Sequence, residues 1–158
     1  MAAVARYLGD TSALARLARP VVDDALSPLI DAGQVATCGM VELELLYSSR
    51  SPDDYARRRQ QLRDGFESLS MPDEVWQRAL QVQEELAQTS AHRGAALPDL
   101  LIAATAERHG VTVLHYDHEY DLIASITGQP VRWIVPRGTA ESSRARHAQG
   151  LPKESYSG

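Results

Sequence analysis

The stretch Val4-Ala5-Arg6-Tyr7-Leu8-Gly9-Asp10-Thr11-Ser12-Ala13-Leu14 decides the fold. Val4 to Leu8 is a short, partly β-branched run that stops at Gly9, and Asp10, Thr11 and Ser12 are helix-capping residues, so a strand passes directly into a helix. The same exchange recurs along the chain. Pro20 suits a first helical turn, and Val21, Val22, Ala25, Leu26, Leu29 and Ile30 keep helical spacing up to Gly33, with Pro28 expected to kink or split the segment. Gln34 to Cys38 reads as a second strand, Gly39 to Tyr47 as a largely buried helix and Pro52 to Leu69 as a polar, charged one. Ser70-Met71-Pro72 reads as a short strand or connector. Asp73 to His92 carries Val75, Trp76, Ala79, Leu80, Val82 and Leu86 at spacings near 3.6, with Gly94 past its end. Pro98 opens a helix that stops at His109-Gly110; Val111 to His115 is a strand, Tyr120 to Ile126 a helix and Val131 to Val135 a last strand. Short, continuously apolar strands alternating with helices predict a parallel sheet covered on both faces, an α/β sandwich.

With 158 residues, 44 % of them hydrophobic and 23 % charged, the chain is sized for one domain and too apolar for intrinsic disorder. The expected division is a domain over 1–136 and a polar, loose tail over 137–158. No apolar run approaches the roughly 18 residues of a membrane span, and the N-terminus lacks the order of a signal peptide, so a cytoplasmic location is expected. Cys38 is the only cysteine, which excludes an intramolecular disulfide and a cysteine-rich zinc site. The net charge of −5 argues against a simple electrostatic nucleic-acid binder. The basic residues are arginines except for Lys153, and arginine is the better fork for phosphate.

In open parallel sheets the binding crevice lies beyond the carboxyl ends of the strands, where strand order reverses. Acids occupy those positions. Asp10 follows the first strand, Glu42 lies in the first helical turn after the second, Asp99 opens the helix preceding the apolar strand, and Asp117 follows that strand. Carboxylates gathered without a nearby lysine or arginine repel one another, and a hard divalent cation such as Mg²⁺ resolves this with oxygen ligands. Singly, Asp10 and Asp117 also suit helix N-caps and Asp99 a first-turn dipole partner. Glu42 and Glu44 both project among apolar residues of one helix, and the helical wheel does not choose between them; proximity to the helix start favours Glu42.

At this point the residues resemble a family. Tyr7-Leu8-Gly9-Asp10-Thr11-Ser12-Ala13-Leu14, the segment Val41 to Ser48 around Glu42, Pro98-Asp99-Leu100-Leu101-Ile102-Ala103-Ala104-Thr105-Ala106, and the segment Val113 to Ala124 around Asp117 look like PIN-domain ribonucleases, specifically VapC-type toxins of toxin–antitoxin pairs. The resemblance covers roughly residues 4 to 135. It implies a three-layer α/β/α sandwich whose five-stranded parallel sheet has the order 3-2-1-4-5. It also implies a Mg²⁺- or Mn²⁺-dependent endoribonuclease that cleaves structured RNA, such as transfer or ribosomal RNA, by metal-activated water. Asp10, Glu42, Asp99 and Asp117 fall on the family's acidic quartet, and Thr11 or Ser12 on the hydroxyl position that positions water. Glu119 stands where the family commonly has aspartate, as a further metal ligand. The resemblance further implies a homodimer and a VapB-type antitoxin partner.

Other features have competing readings. Arg57, Arg58, Arg59 and Arg63 suit a solvated helix face or an RNA-binding flank, which the tail residues Arg137, Arg144, Arg146 and Lys153 could extend against Glu141 and Glu154. His115 and His118 flank Asp117 but lack further nitrogen or sulfur ligands for zinc. Asp121 is expected to face solvent or cap a helix, and Trp76 and Trp133 to pack in the core. A response-regulator receiver or a haloacid-dehalogenase-type phosphatase would need a lysine late in the domain, where none stands. A degenerate PIN domain that binds RNA or protein without cutting is the non-enzymatic alternative.

Overall fold

The computed structural model describes residues 4–142; of the expected tail, 143–158, with Arg144, Arg146, Lys153 and Glu154, lie outside the described residues. Strands β1 (Tyr7–Gly9), β2 (Val35–Cys38), β3 (Glu67–Leu69), β4 (Thr112–His115) and β5 (Val131–Trp133) form one parallel sheet in the order β3-β2-β1-β4-β5. Helices cover both faces: α1 (Thr11–Leu14), α2 (Pro20–Asp31), α3 (Gly39–Tyr47), α4 (Pro52–Gly65), α5 (Asp73–Ala87), α6 (Leu97–His109), α7 (Glu119–Thr127) and α8 (Thr139–Ser142). The order implied by the resemblance is the order observed.

β1 sits at the centre because Leu8 can pair with Ala36 of β2 on one side and Val113 of β4 on the other. Leu8, Ala36, Val113 and Leu114 are fully buried, and each larger apolar side chain among them contributes roughly 1.5–3 kcal/mol by leaving water. A Cβ on Gly9 would meet Val35 Cγ1 at 3.1 Å and Leu14 at 3.2 Å, so glycine lets the chain turn tightly from β1 into α1. Gly110, at φ 66°, ends α6 in the left-handed conformation and sends the chain into β4. Strand order reverses between β1 and β4, so the crevice opens where Asp10 and Asp117 leave the sheet.

Several expectations change. α2 runs unbroken through Pro28: Pro28 and Asp24, four residues earlier, both lie on the exposed face, where water can satisfy the carbonyl that proline leaves unpaired. α4 ends at Gly65, and Glu67–Leu69, read from sequence as the end of a polar helix, is the edge strand β3, paired with Ala36, Thr37 and Cys38. Its first two side chains are exposed, so it shows no apolar run. In α3 only Val41 and Leu46 are buried, with Leu43 and Tyr47 exposed, so the helix is not buried around most of its circumference. Trp76 is 54 % exposed and forms no part of the core, because α5 turns it outward beside Leu80. The described start of the tail includes α8, whose Ala140 is buried.

Candidate functional site

The turn after β1 places Asp10 as the N-cap of α1, where it is 3 % exposed. Its Oδ2 accepts from the Ser12 backbone N–H at 3.0 Å and from the Ser12 hydroxyl at 2.5 Å. That hydroxyl in turn accepts from the Tyr116 N–H at 2.9 Å, tying the end of β1 to the residue that follows β4. Oδ1 of Asp10 accepts from the Tyr120 hydroxyl at 2.6 Å. The Tyr120 oxygen also lies 3.4 Å from Asp99 Oδ1, so one phenol bridges two carboxyl groups. Burial and the neighbouring Asp10 and Asp99 push the Tyr120 phenol well above its ordinary range and keep it a donor.

Asp99 lies in the first turn of α6 and is 7 % exposed. Oxygens of Asp99, Asp117 and Glu119 lie within 4.8 Å of one another. Burial first, then the hydrogen bond with Glu119 and the charges of Asp10 and Asp117, push the Asp99 carboxyl up to about 9. Glu119 moves the other way: the Asp99 bond, together with the Ala96 N–H donating to its Oε2 at 2.8 Å, holds it below its ordinary value. Asp99 is therefore the protonated partner and Glu119 the ionised one. Asp117 Oδ1 accepts from the Glu119 N–H at 3.0 Å at the start of α7, whose N-cap is His118. Among the described residues no arginine or lysine pairs with any of these acids.

The two glutamates of α3 separate. Two residues apart on a helix lie about 200° apart around its axis, so both cannot face one crevice. Glu44 accepts from the Thr11 hydroxyl at 2.9 Å, and burial and the charge of Asp10 raise its carboxyl. Glu42 instead accepts from the Ser68 hydroxyl at 3.4 Å, beside the edge strand. The structure thus brings Glu44, rather than Glu42, toward Asp10. The hydroxyls of Thr11 and Ser12 both donate to acids of the site.

The remaining candidates fall elsewhere. Arg57 and Arg58 both pair with Asp54, and Arg58 also donates to Ser48 Oγ at 2.9 Å; Arg59 is half-buried and Arg63 exposed on the same helix. His115 is fully buried, and burial holds its pKa down; its Nδ1 accepts from the Asp117 N–H at 3.2 Å while its ring packs against Tyr120 and Trp133. His118 is exposed, with Nδ1 3.6 Å from Asp117 Oδ1. Exposed Asp121 accepts from the Trp133 indole N–H at 3.1 Å, and Trp133 is half-buried. Tyr120 carries no distinctive mark in the sequence, and Glu44 is the less favoured of two glutamates there. Their only signals are a hydroxyl at an apolar-periodic position of α7 and a glutamate three residues after buried Val41.

A hard divalent cation fits this donor set. The ligand atoms are all oxygens, close enough to converge on one ion, and carry no basic side chain to balance them.

Comparison with known proteins gives the family. The family profile described as PIN domain matches residues 7–126. The chain is 46 % identical over 135 residues to "Ribonuclease VapC21" of Mycobacterium tuberculosis, covering 85 % of this chain and 98 % of that protein. It is also 46 % identical over 136 residues to "Ribonuclease VapC51" of the same organism, covering 86 % and 98 %. Among solved structures, the DNA-bound VapBC of Salmonella typhimurium superposes with a TM-score of 0.67 at 15 % identity, covering 84 % of this chain and 100 % of that one. A toxin–antitoxin complex from Klebsiella pneumoniae gives 0.63 at 22 % identity, covering 82 % and 98 %. At such identities the structures speak for the fold alone. The family match and the extent of the sequence identity together mean that this chain belongs to the PIN domain family, among its VapC members.

Proposed function

We propose that this chain is a Mg²⁺- or Mn²⁺-dependent endoribonuclease toxin that hydrolyses structured RNA, such as transfer or ribosomal RNA. The observation that carries this reading is the convergence of Asp99, Asp117 and Glu119, with Asp10 joined to Asp99 through Tyr120, at the sheet's reversal of strand order. The names of its VapC relatives support RNA as the substrate.

Asp10, Asp99, Asp117 and Glu119 would hold the cation. When bound, the ion supplies positive charge for a phosphate under attack and acidifies water. Each of the chain's own groups has a definable part. Ser12 and Tyr120 fix both oxygens of Asp10, so its carboxylate is oriented before substrate arrives. Asp99 would hold the cation as the carboxylate, so the proton it carries would have to pass to solvent. Glu44 holds the Thr11 hydroxyl in a fixed direction at the mouth.

A VapB-type antitoxin is the proposed partner, which the chain's place among VapC ribonucleases supports. A groove of about 570 Å³ lined by Leu14, Leu17, Leu45, Leu62 and Phe66 runs beside α1 and α3, the elements that carry Thr11 and Glu44. A homodimer is proposed through the exposed apolar face of Trp76, Leu80 and Leu97. No helix among the described residues is long and apolar enough to cross a membrane.

Purified protein should cut RNA with Mg²⁺ or Mn²⁺, stop in EDTA, and leave 5′-phosphate and 3′-hydroxyl ends. Undiminished cleavage in chelator, or cyclic-phosphate products, would overturn the mechanism.

A further inference from the structure

A cleft of about 360 Å³ opens beside Asp117, lined by Arg16, Tyr116, His118, Trp133, Arg137 and Glu141. Its walls are built. The Tyr116 hydroxyl donates to Glu141 Oε2 at 2.6 Å and accepts from the backbone N–H groups of Gly138 and Ala140 at 2.8 and 3.3 Å. This one oxygen fixes the segment that carries Arg137. Arg16 lies 4.8 Å over the Tyr116 ring and donates to the Ser12 carbonyl at 2.7 Å, which sets its guanidinium at the rim. The half-buried Trp133 meets Tyr116 edge-on, with centroids 5.5 Å apart, and its indole N–H is held by Asp121.

A phosphodiester approaching a cluster of carboxylates is repelled unless cations hold it. Arg57 and Arg58 are engaged with Asp54. Arg16 and Arg137 share the cleft with Asp117 and Glu141; among the described residues neither lies within salt-bridge distance of a carboxylate, and Glu141 is held low by the Tyr116 hydrogen bond and, more weakly, by the charge of Arg16. Resting on the ribonuclease reading above, we infer that this cleft is the subsite for an unpaired nucleotide adjoining the scissile phosphate of RNA, with its phosphate between Arg16 and Arg137 and its base against the Trp133 indole. A base inside a duplex has both faces covered by its neighbours, so only an unpaired one can use an aromatic wall.

The test uses the full chain carrying Asp10→Asn, so that binding is read without cleavage. The probe is a single-stranded oligoribonucleotide with one 2-aminopurine, scanned along its length, and fluorescence anisotropy reports affinity. Arg137→Ala and Trp133→Leu should each weaken binding roughly tenfold. Arg108→Ala, exposed at the opposite end of the sheet, should leave it unchanged. Quenching of 2-aminopurine at one register should vanish in Trp133→Leu. In the otherwise wild-type enzyme both cleft variants should raise KM with kcat nearly constant, and Mn²⁺ binding should match wild type. Equal affinity in all variants, equal affinity for a duplex of the same sequence, or quenching that survives Trp133→Leu would overturn the subsite. Wild-type protein that binds with these dependences yet cuts no RNA would overturn the ribonuclease reading and leave the cleft standing.

Discussion

The hydroxyl of Tyr120, fully buried in α7, donates to Asp10 Oδ1 at 2.6 Å across 110 residues of sequence. Removing only that oxygen in Tyr120→Phe leaves a buried carboxylate short of one donor, and hydrogen bonds to charged groups contribute about 1.5–3 kcal/mol. The variant should melt lower in EDTA by roughly 4–8 °C. It should also bind Mn²⁺ several-fold more weakly, because Asp10 loses its fixed orientation. A melting point and an isotherm that both match wild type would remove Tyr120 from the site.

Asp99 gives a pH signature. Its folded pKa of about 9 lies above its ordinary 3.8, so the folded chain binds the extra proton and this group's contribution to stability falls as pH rises between those values. Glu119, lowered by the same bond, contributes in the opposite sense over the acid range below its ordinary value. Asp99→Asn should therefore melt above wild type in EDTA, with a gap that widens from about pH 4 to about 9 and then levels. Melts at a series of pH values check this, and a gap independent of pH would contradict it. Near pH 7, Mg²⁺ binding should release about one proton, read by calorimetry in buffers of different ionisation enthalpy.

The α3 glutamates can be told apart by activity. Glu44→Gln should lower cleavage by about 10- to 100-fold, the range for groups that orient metal ligands, whereas Glu42→Gln should change it less than twofold. Rates measured across a Mg²⁺ series would show it; the reverse order would restore Glu42 to the site.

The apolar face on α5 and α6 predicts an assembly. Leu80→Glu, at a side chain 65 % exposed beside Trp76 and Leu97, should convert a dimer into a monomer in light scattering without changing the melting of the monomer unit. A wild-type monomer at every concentration would rule out the dimer itself.

Much of this architecture was legible because its signals are local and repeated. Strand β4 carries Val113 and Leu114 at its middle, α6 is opened by Pro98 and closed by Gly110, and the acids after β1 and β4 stand at strand ends that border the crevice of a parallel sheet. β3 was not legible: Glu67 and Ser68 are solvent-facing, and only their pairing with Ala36 and Thr37 makes them a strand. Nor was the choice between Glu42 and Glu44, since the helix could be rotated either way until Ser68 and Thr11 supplied partners. Trp76 kept perfect helical period yet points outward, because periodicity marks an apolar face without saying what covers it.

The bonds from Tyr116 to Gly138, Ala140 and Glu141 have a consequence for the order of synthesis. Asp10, Glu44, Asp99, Asp117 and Glu119 all precede Arg137 in the chain, and the wall that Tyr116 fastens follows them. A nascent chain thus owns its complete set of acids while one side of the neighbouring cleft is still missing. If RNA must rest in that cleft, a chain cut short before Arg137 would keep the acids and lose the cleft.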